Sequence, residues 1–128
     1  MDNINNNNIL FGGELLHSVQ IYWQIIASTL EDARNRFHFD LDNQFVEDLN
    51  SLIQIANNNV ILYGELLRSQ RGQNESHNYE NNENLFYYGL SHLLNRNNHF
   101  TNTLQNIVRE GIPLGVRYFV RFLQKLNL

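Results

Sequence analysis

The stretch FVEDLNSLIQIANNNVILYGEL, Phe45–Leu66, decides the fold. Phe45, Leu49, Leu52, Ala56, Tyr63 and Leu66 fall on one line at alternating steps of four and three, with Asn59 in the remaining slot. That spacing is the apolar seam of an α-helix, because residues three and four apart stack on one face. Glu47, Asp48, Asn50, Ser51, Gln54, Asn57 and Asn58 fall off that line, so the helix has one face to bury and a polar one to leave in water.

The same pattern recurs on both sides. Leu15, Val19, Tyr22 and Ile26 form a first seam. Phe86, Leu90, Leu93, Phe100, Leu104 and Val108 form a third, with Asn97 at a seam position. Ile112, Val116, Phe119, Leu123 and Leu126 form a fourth. One stripe per helix predicts an all-α chain, an antiparallel bundle of three long helices of roughly 25 residues and a shorter C-terminal fourth. No alternating run rich in Val and Ile suggests a strand.

The boundaries are legible as well. Residues 37–43 form the first connection, with Asp42 or Asn43 placed to cap the next helix. Residues 70–83 are polar and unpatterned and read as a surface loop. Glu110-Gly111-Ile112-Pro113 combines a helix-ending glycine with a helix-starting proline, a break and restart. Residues 1–8 are an asparagine-rich, frayed or disordered terminus, and 9–128 are a single helical domain.

Composition excludes several chemistries. The 128 residues include no cysteine, so there is no thiolate nucleophile, thiolate zinc site, iron–sulfur cluster or disulfide framework. No window approaches the roughly 18 consecutive apolar residues of a spanning helix, and Met1-Asp2-Asn3 does not open a signal peptide. A cytoplasmic location is the expectation. Charged residues are 17% of the chain, and Lys125 is its one lysine beside eight arginines. Asparagine occurs 22 times and glutamine 8 times, so much of the polar surface is uncharged amide. Residues 1–96 carry −7 and residues 97–128 carry +3, an asymmetry suited to docking one part on the other.

Three constellations have a chemical reading. Glu14-Leu15-Leu16-His17 is a Glu-x-x-His, which puts a carboxylate and an imidazole on one side of a helix. It resembles the di-metal motif of the ferritin-like family, which implies a four-helix protein with further inward carboxylates. Glu65 supplies one more carboxylate, but Arg68 stands where a second histidine belongs, and the later helices offer no mid-helix carboxylate. Glu14, His17 and Glu65 are thus the metal candidates of a degenerate or absent site, and no cofactor is expected. Arg71 and His77 are spaced loosely like the pair of helical RNases of the HEPN type, though in a loop. His92 and His99, two helical turns apart, read as histidines flanking a helix seam, which would make it sensitive to pH near neutrality.

The segment Val108–Gly115, VREGIPLG, resembles the first homology motif of the B-cell-lymphoma-type apoptosis regulators. That resemblance implies a small protein gripping a partner helix in a groove. It covers under a fifth of the chain, and Val116 stands where the motif has arginine.

The C-terminal helix presents Arg117, Arg121 and Lys125 at four-residue intervals beside Tyr118. These four residues are the candidate interaction surface. Through it alone a membrane surface or nucleic acid would be met. An internal similarity joins Asn6–Ser18 to Asn57–Ser69, identical at eight of thirteen positions, as a duplicated helix would be. Asn59 and Asn97 are the seam amides, a residue type that fixes register and oligomeric state. Together these features lead to a non-enzymatic helical interaction or structural protein, expected to be a homo-oligomer or to bind a protein partner.

Overall fold

The computed structural model describes residues 16–36, 42–69, 76–112 and 119–128. They form five helices and, among the described residues, no strand: α1 (Leu16–Arg36), α2 (Asn43–Ser69), α3 (Ser76–Arg96), α4 (Asn98–Gly111) and α5 (Val120–Lys125). The all-helical expectation therefore holds. Helix α2 packs on α1 and α3, α4 on α1 and α3, and α5 on α3. Side-chain pairs fix the α1–α2 register: Gln20 Nε2 donates to the Val60 carbonyl at 3.2 Å, and Arg34 Nη1 donates to Asn50 Oδ1 at 2.7 Å.

The seams read from the sequence become one core. Ile26, Leu49, Leu52, Leu90, Leu93, Leu104 and Leu123 are all buried in it. Its centre is aromatic. Trp23 is fully buried, with the Phe86 ring centroid 4.9 Å away edge-on and that of Tyr22 at 5.1 Å. Phe119 closes on Tyr22 at 4.8 Å, which ties the start of α5 to α1. Phe45 meets Phe100 at 5.1 Å and so joins α2 to α4. Offset and edge-on ring pairs add to the burial of apolar area itself.

The helix boundaries have local causes. Asp42 caps α2: its Oδ1 accepts from the Phe45 N–H at 2.6 Å. At the other end of the chain, Asn127 adopts φ 59°, the left-handed conformation that an asparagine tolerates. The Leu128 N–H then turns back onto the Leu123 carbonyl at 2.9 Å, which stops α5.

Three boundaries differ from the sequence reading. The expected continuous third helix is two helices, α3 and α4, broken at Asn97. That residue is extended, with φ −149° and ψ 106°, and its Oδ1 accepts from the Phe100 N–H at 2.9 Å. A side chain that caps a helix start competes with the helix that would pass through it. Thr101 Oγ1 reinforces the break by donating to the Leu94 and Asn97 carbonyls, at 2.9 and 3.0 Å. The loop expected over 70–83 is shorter, because α3 begins at Ser76. Adding a residue to an existing helix costs little, so a helix runs past its buried face into polar sequence. Gly111 is the last residue of α4, and its backbone is not in the left-handed region. The chain extends at Ile112, where the residue before a proline is driven out of the helical region. Residues 1–15 and 113–118, and with them the frayed terminus 1–8 and the N-terminal half of the similarity, lie outside the described residues.

Candidate interaction groove

Among the described residues, two large exposed apolar side chains stand close together on α3. Leu85 is 53% and Tyr88 67% exposed. They stand at i and i+3, followed by Gly89, His92 and Arg96, so they make a stripe beside the buried Phe86–Leu90–Leu93 seam. From α2, Asp48, Ser51, Leu52 and Ile55 line the facing wall. Between the two walls runs a shallow groove of about 200 Å³. Gly89 forms part of its floor and lets the helices approach closely: a Cβ there would meet Leu52 Cδ1 at 3.1 Å. The His92 ring stands edge-on to Tyr88 at 4.6 Å between centroids.

The groove ends in a charge pair. Arg96 Nη1 donates to Asp48 Oδ2 at 2.5 Å, and the Arg96 guanidinium also lies 5.3 Å from the Phe45 ring centroid. The bond from Arg96, with a second from Gln44 Nε2, holds the Asp48 carboxyl below its usual range. A depressed carboxyl favours the fold above its unfolded pKa, and that contribution fades as pH falls through the folded value.

A second recess opens where α1, α2, α3 and α5 converge. Its volume is about 530 Å³, and Val19, Tyr22, Tyr63, Glu83, Val120, Arg121 and Gln124 line it. Tyr63 Oη donates to Glu83 Oε1 at 2.5 Å. The Tyr22 and Tyr87 hydroxyls share a hydrogen bond. Arg121 lies 4.3 Å from the Tyr87 ring centroid and donates to Asn84 Oδ1 at 3.0 Å. Burial raises both Tyr22 and Tyr87 above the ordinary tyrosine range.

The residues singled out from the sequence are dispersed. His17 is exposed at the start of α1, Glu65 is exposed late on α2, and Glu14 lies outside the described residues. Among the described residues no group of three His, Asp or Glu side chains is placed to hold a metal ion. Arg117 and Tyr118 lie outside the described residues, whereas Arg121 and Lys125 are exposed on α5. Arg121 belongs to the second recess and is tied to α3. Arg71 lies outside the described residues, and His77 sits in α3. His92 and His99 are both exposed, but the break at Asn97 puts them on different helices, α3 and α4.

The two seam amides separate. Asn97 is a cap, half-buried at the α3–α4 break. Asn59 is fully buried, and among the described residues neither its Oδ1 nor its Nδ2 has a hydrogen-bond partner. Such a side chain carries the full desolvation cost of its amide. Asn59→Leu is therefore expected to raise stability by about 1–3 kcal/mol in urea unfolding, since leucine fills similar space without that cost. A variant no more stable than the original would show that the amide is satisfied in solution.

The stripe Leu85–Tyr88–His92 escaped the sequence reading. Its signal was present as a helical period one position out of phase with the core seam. The assumption of one apolar stripe per helix hid it. No helix among the described residues is long and apolar enough to cross a membrane. No family model matches the chain, and no curated protein or solved structure is significantly similar to it.

Proposed function

We propose that this chain is a non-enzymatic interaction protein that self-associates through the α2–α3 groove, its helices packed as an antiparallel bundle. The exposure of Leu85 and Tyr88 beside that groove is the observation that carries the reading. Large apolar side chains that cluster on a surface mark an association site, whereas single ones do not. Tyrosine is also among the residues that anchor interfaces.

A second copy of the chain is the occupant that the surface chemistry favours. The groove ends in one acid and one base, Asp48 and Arg96. A two-fold arrangement presents the same patch to itself, so a contact of Asp48 with Arg96 of the other copy would be made twice. The low charge content adds little like-charge repulsion between copies. The crossed pairs Gln20–Val60 and Arg34–Asn50 support that packing for α1 and α2, since the start of α1 meets late α2 and its end meets early α2.

Light scattering on the full chain across a concentration series tests the reading. The expected result is a dimer that Leu85→Glu and Tyr88→Glu each convert to monomer. Both positions are exposed, so the far-ultraviolet circular dichroism stays unchanged. A strict monomer at high concentration would sink self-association, also where that monomer captures a labelled amphipathic helix instead. A dimer that survives both substitutions would refute the groove as its interface.

A further inference from the structure

The recess between α1, α2, α3 and α5 presents opposite charges that are not joined to each other. Glu83 is held by the Tyr63 hydroxyl, and Arg121 by the Asn84 amide and the Tyr87 ring. Among the described residues the ion pairs are Arg36–Asp32 and Arg96–Asp48, so Glu83 and Arg121 stay apart. Each has a neutral partner that fixes its direction and leaves its charge uncompensated. The Glu83 Oε2 atom accepts no recorded bond among the described residues. The guanidinium of Arg121 uses one of its donors on Asn84 and keeps others.

The recess also offers a directed hydroxyl. Tyr22 lines it, while Tyr87 stands behind, under Arg121. Of two hydroxyls in mutual contact, one donates and the other accepts. When Tyr87 donates, the Tyr22 proton is free to point into the recess, beside the cation. Val19 and Val120, the latter 44% exposed, supply an apolar lip. The volume of about 530 Å³ falls in the range of small-molecule sites.

We propose that this recess binds a small zwitterion of the amino-acid type. The ammonium meets Glu83, the carboxylate meets Arg121 and the Tyr22 hydroxyl, and the side chain rests on Val19 and Val120. An occupant with both charges satisfies Glu83 and Arg121 together, whereas a singly charged one leaves the other unpaired. Each charged end of the occupant that meets its opposite adds attraction, so the site discriminates by charge number before shape.

L-leucine, leucinamide and N-acetyl-L-leucine test the proposal, because the second lacks the carboxylate and the third the ammonium. Each is titrated into the full chain at millimolar concentration and followed by amide correlation spectra. L-leucine is expected to shift the Val19, Tyr63 and Val120 signals saturably, with affinity about tenfold above either analogue. Glu83→Gln and Arg121→Gln are each expected to weaken L-leucine by about tenfold. Glu83→Gln keeps an acceptor for Tyr63, and both variants should melt as the original does. Absence of saturable shifts overturns the site. Equal binding of all three compounds, or binding that survives both substitutions, overturns the zwitterion assignment.

Discussion

Truncating Trp23 to alanine is expected to cost about 3–5 kcal/mol of stability, the largest effect of any single substitution considered. The side chain is fully buried, and its ring stands against Tyr22, Phe86 and Tyr87, with centroids 5.1, 4.9 and 6.0 Å away. Removing it deletes transfer free energy and leaves a cavity that its stiff aromatic neighbours cannot collapse into. Trp23→Phe separates two contributions. The indole Nε1–H is buried with no hydrogen-bond partner among the described residues, so phenylalanine removes an unmet donor along with some volume. The relief of that donor offsets part of the lost packing, and the phenylalanine variant is expected to lose less than half as much as the alanine variant. Denaturant unfolding followed by circular dichroism measures both. A loss below about 1 kcal/mol for Trp23→Ala would show that the aromatic cluster does not form the centre of the core.

The second large effect is alkaline destabilisation. Tyr22 and Tyr87 are buried, and burial pushes both phenols above the ordinary tyrosine value of 10.0. The sign follows from proton counting. Above that value the unfolded chain has lost protons that the folded chain retains, so unfolding is favoured as pH rises. The stabilisation is therefore complete below about pH 10 and is lost progressively above it. Each buried phenol contributes a slope of about 1.4 kcal/mol per pH unit, so the pair contributes up to about 2.7. Urea midpoints measured from neutral pH upward should fall steeply beyond pH 10. The double variant Tyr22→Phe with Tyr87→Phe should flatten that fall. It removes both members of one hydrogen bond and keeps the rings, so its stability at neutral pH should change little. An equally steep decline in the double variant would place the titrating groups elsewhere.

Of the positions behind these effects, the seam spacing marked Tyr22 as apolar and left Trp23 and Tyr87 unmarked. The step of four and three identified Tyr22, Phe45 and Phe86 as inward-facing, and each is buried. Trp23 stands next to Tyr22 on the same helix and is equally inside, because α1 meets α2 on one side and α4 on another. A single stripe describes a helix with one neighbour. A helix with several neighbours buries a wider arc, which periodicity does not separate into faces. The same limit hid Leu85 and Tyr88, which form a second stripe that lies open on the surface.

The candidate sites show the same division. Arg121 was singled out as part of a basic face, yet its neighbours are Asn84 and Tyr87, 37 and 34 residues earlier in the chain. Tyr63 and Glu83 meet across twenty residues and two helices. No spacing rule links such residues, because the link is made by packing rather than by the helical period. Asn59 was marked for its place in the seam, and its side chain is buried. Asn97 was marked on the same argument and instead ends a helix, because its side chain found a closer partner in the Phe100 N–H.

The sequence by itself determined the helical class, a helix cap at Asp42 or Asn43, the inward face of most described seam residues and the absence of cysteine chemistry. These depend on interactions within a few residues, or on residue type alone, and local physics is written in local sequence. Only the tertiary structure decided where the third seam breaks, which apolar residues stay exposed, and which charges share a recess. Those outcomes are set by contacts between helices. A seam states that a face must be buried, but not against which partner, and the groove and the recess exist only once that partner is chosen.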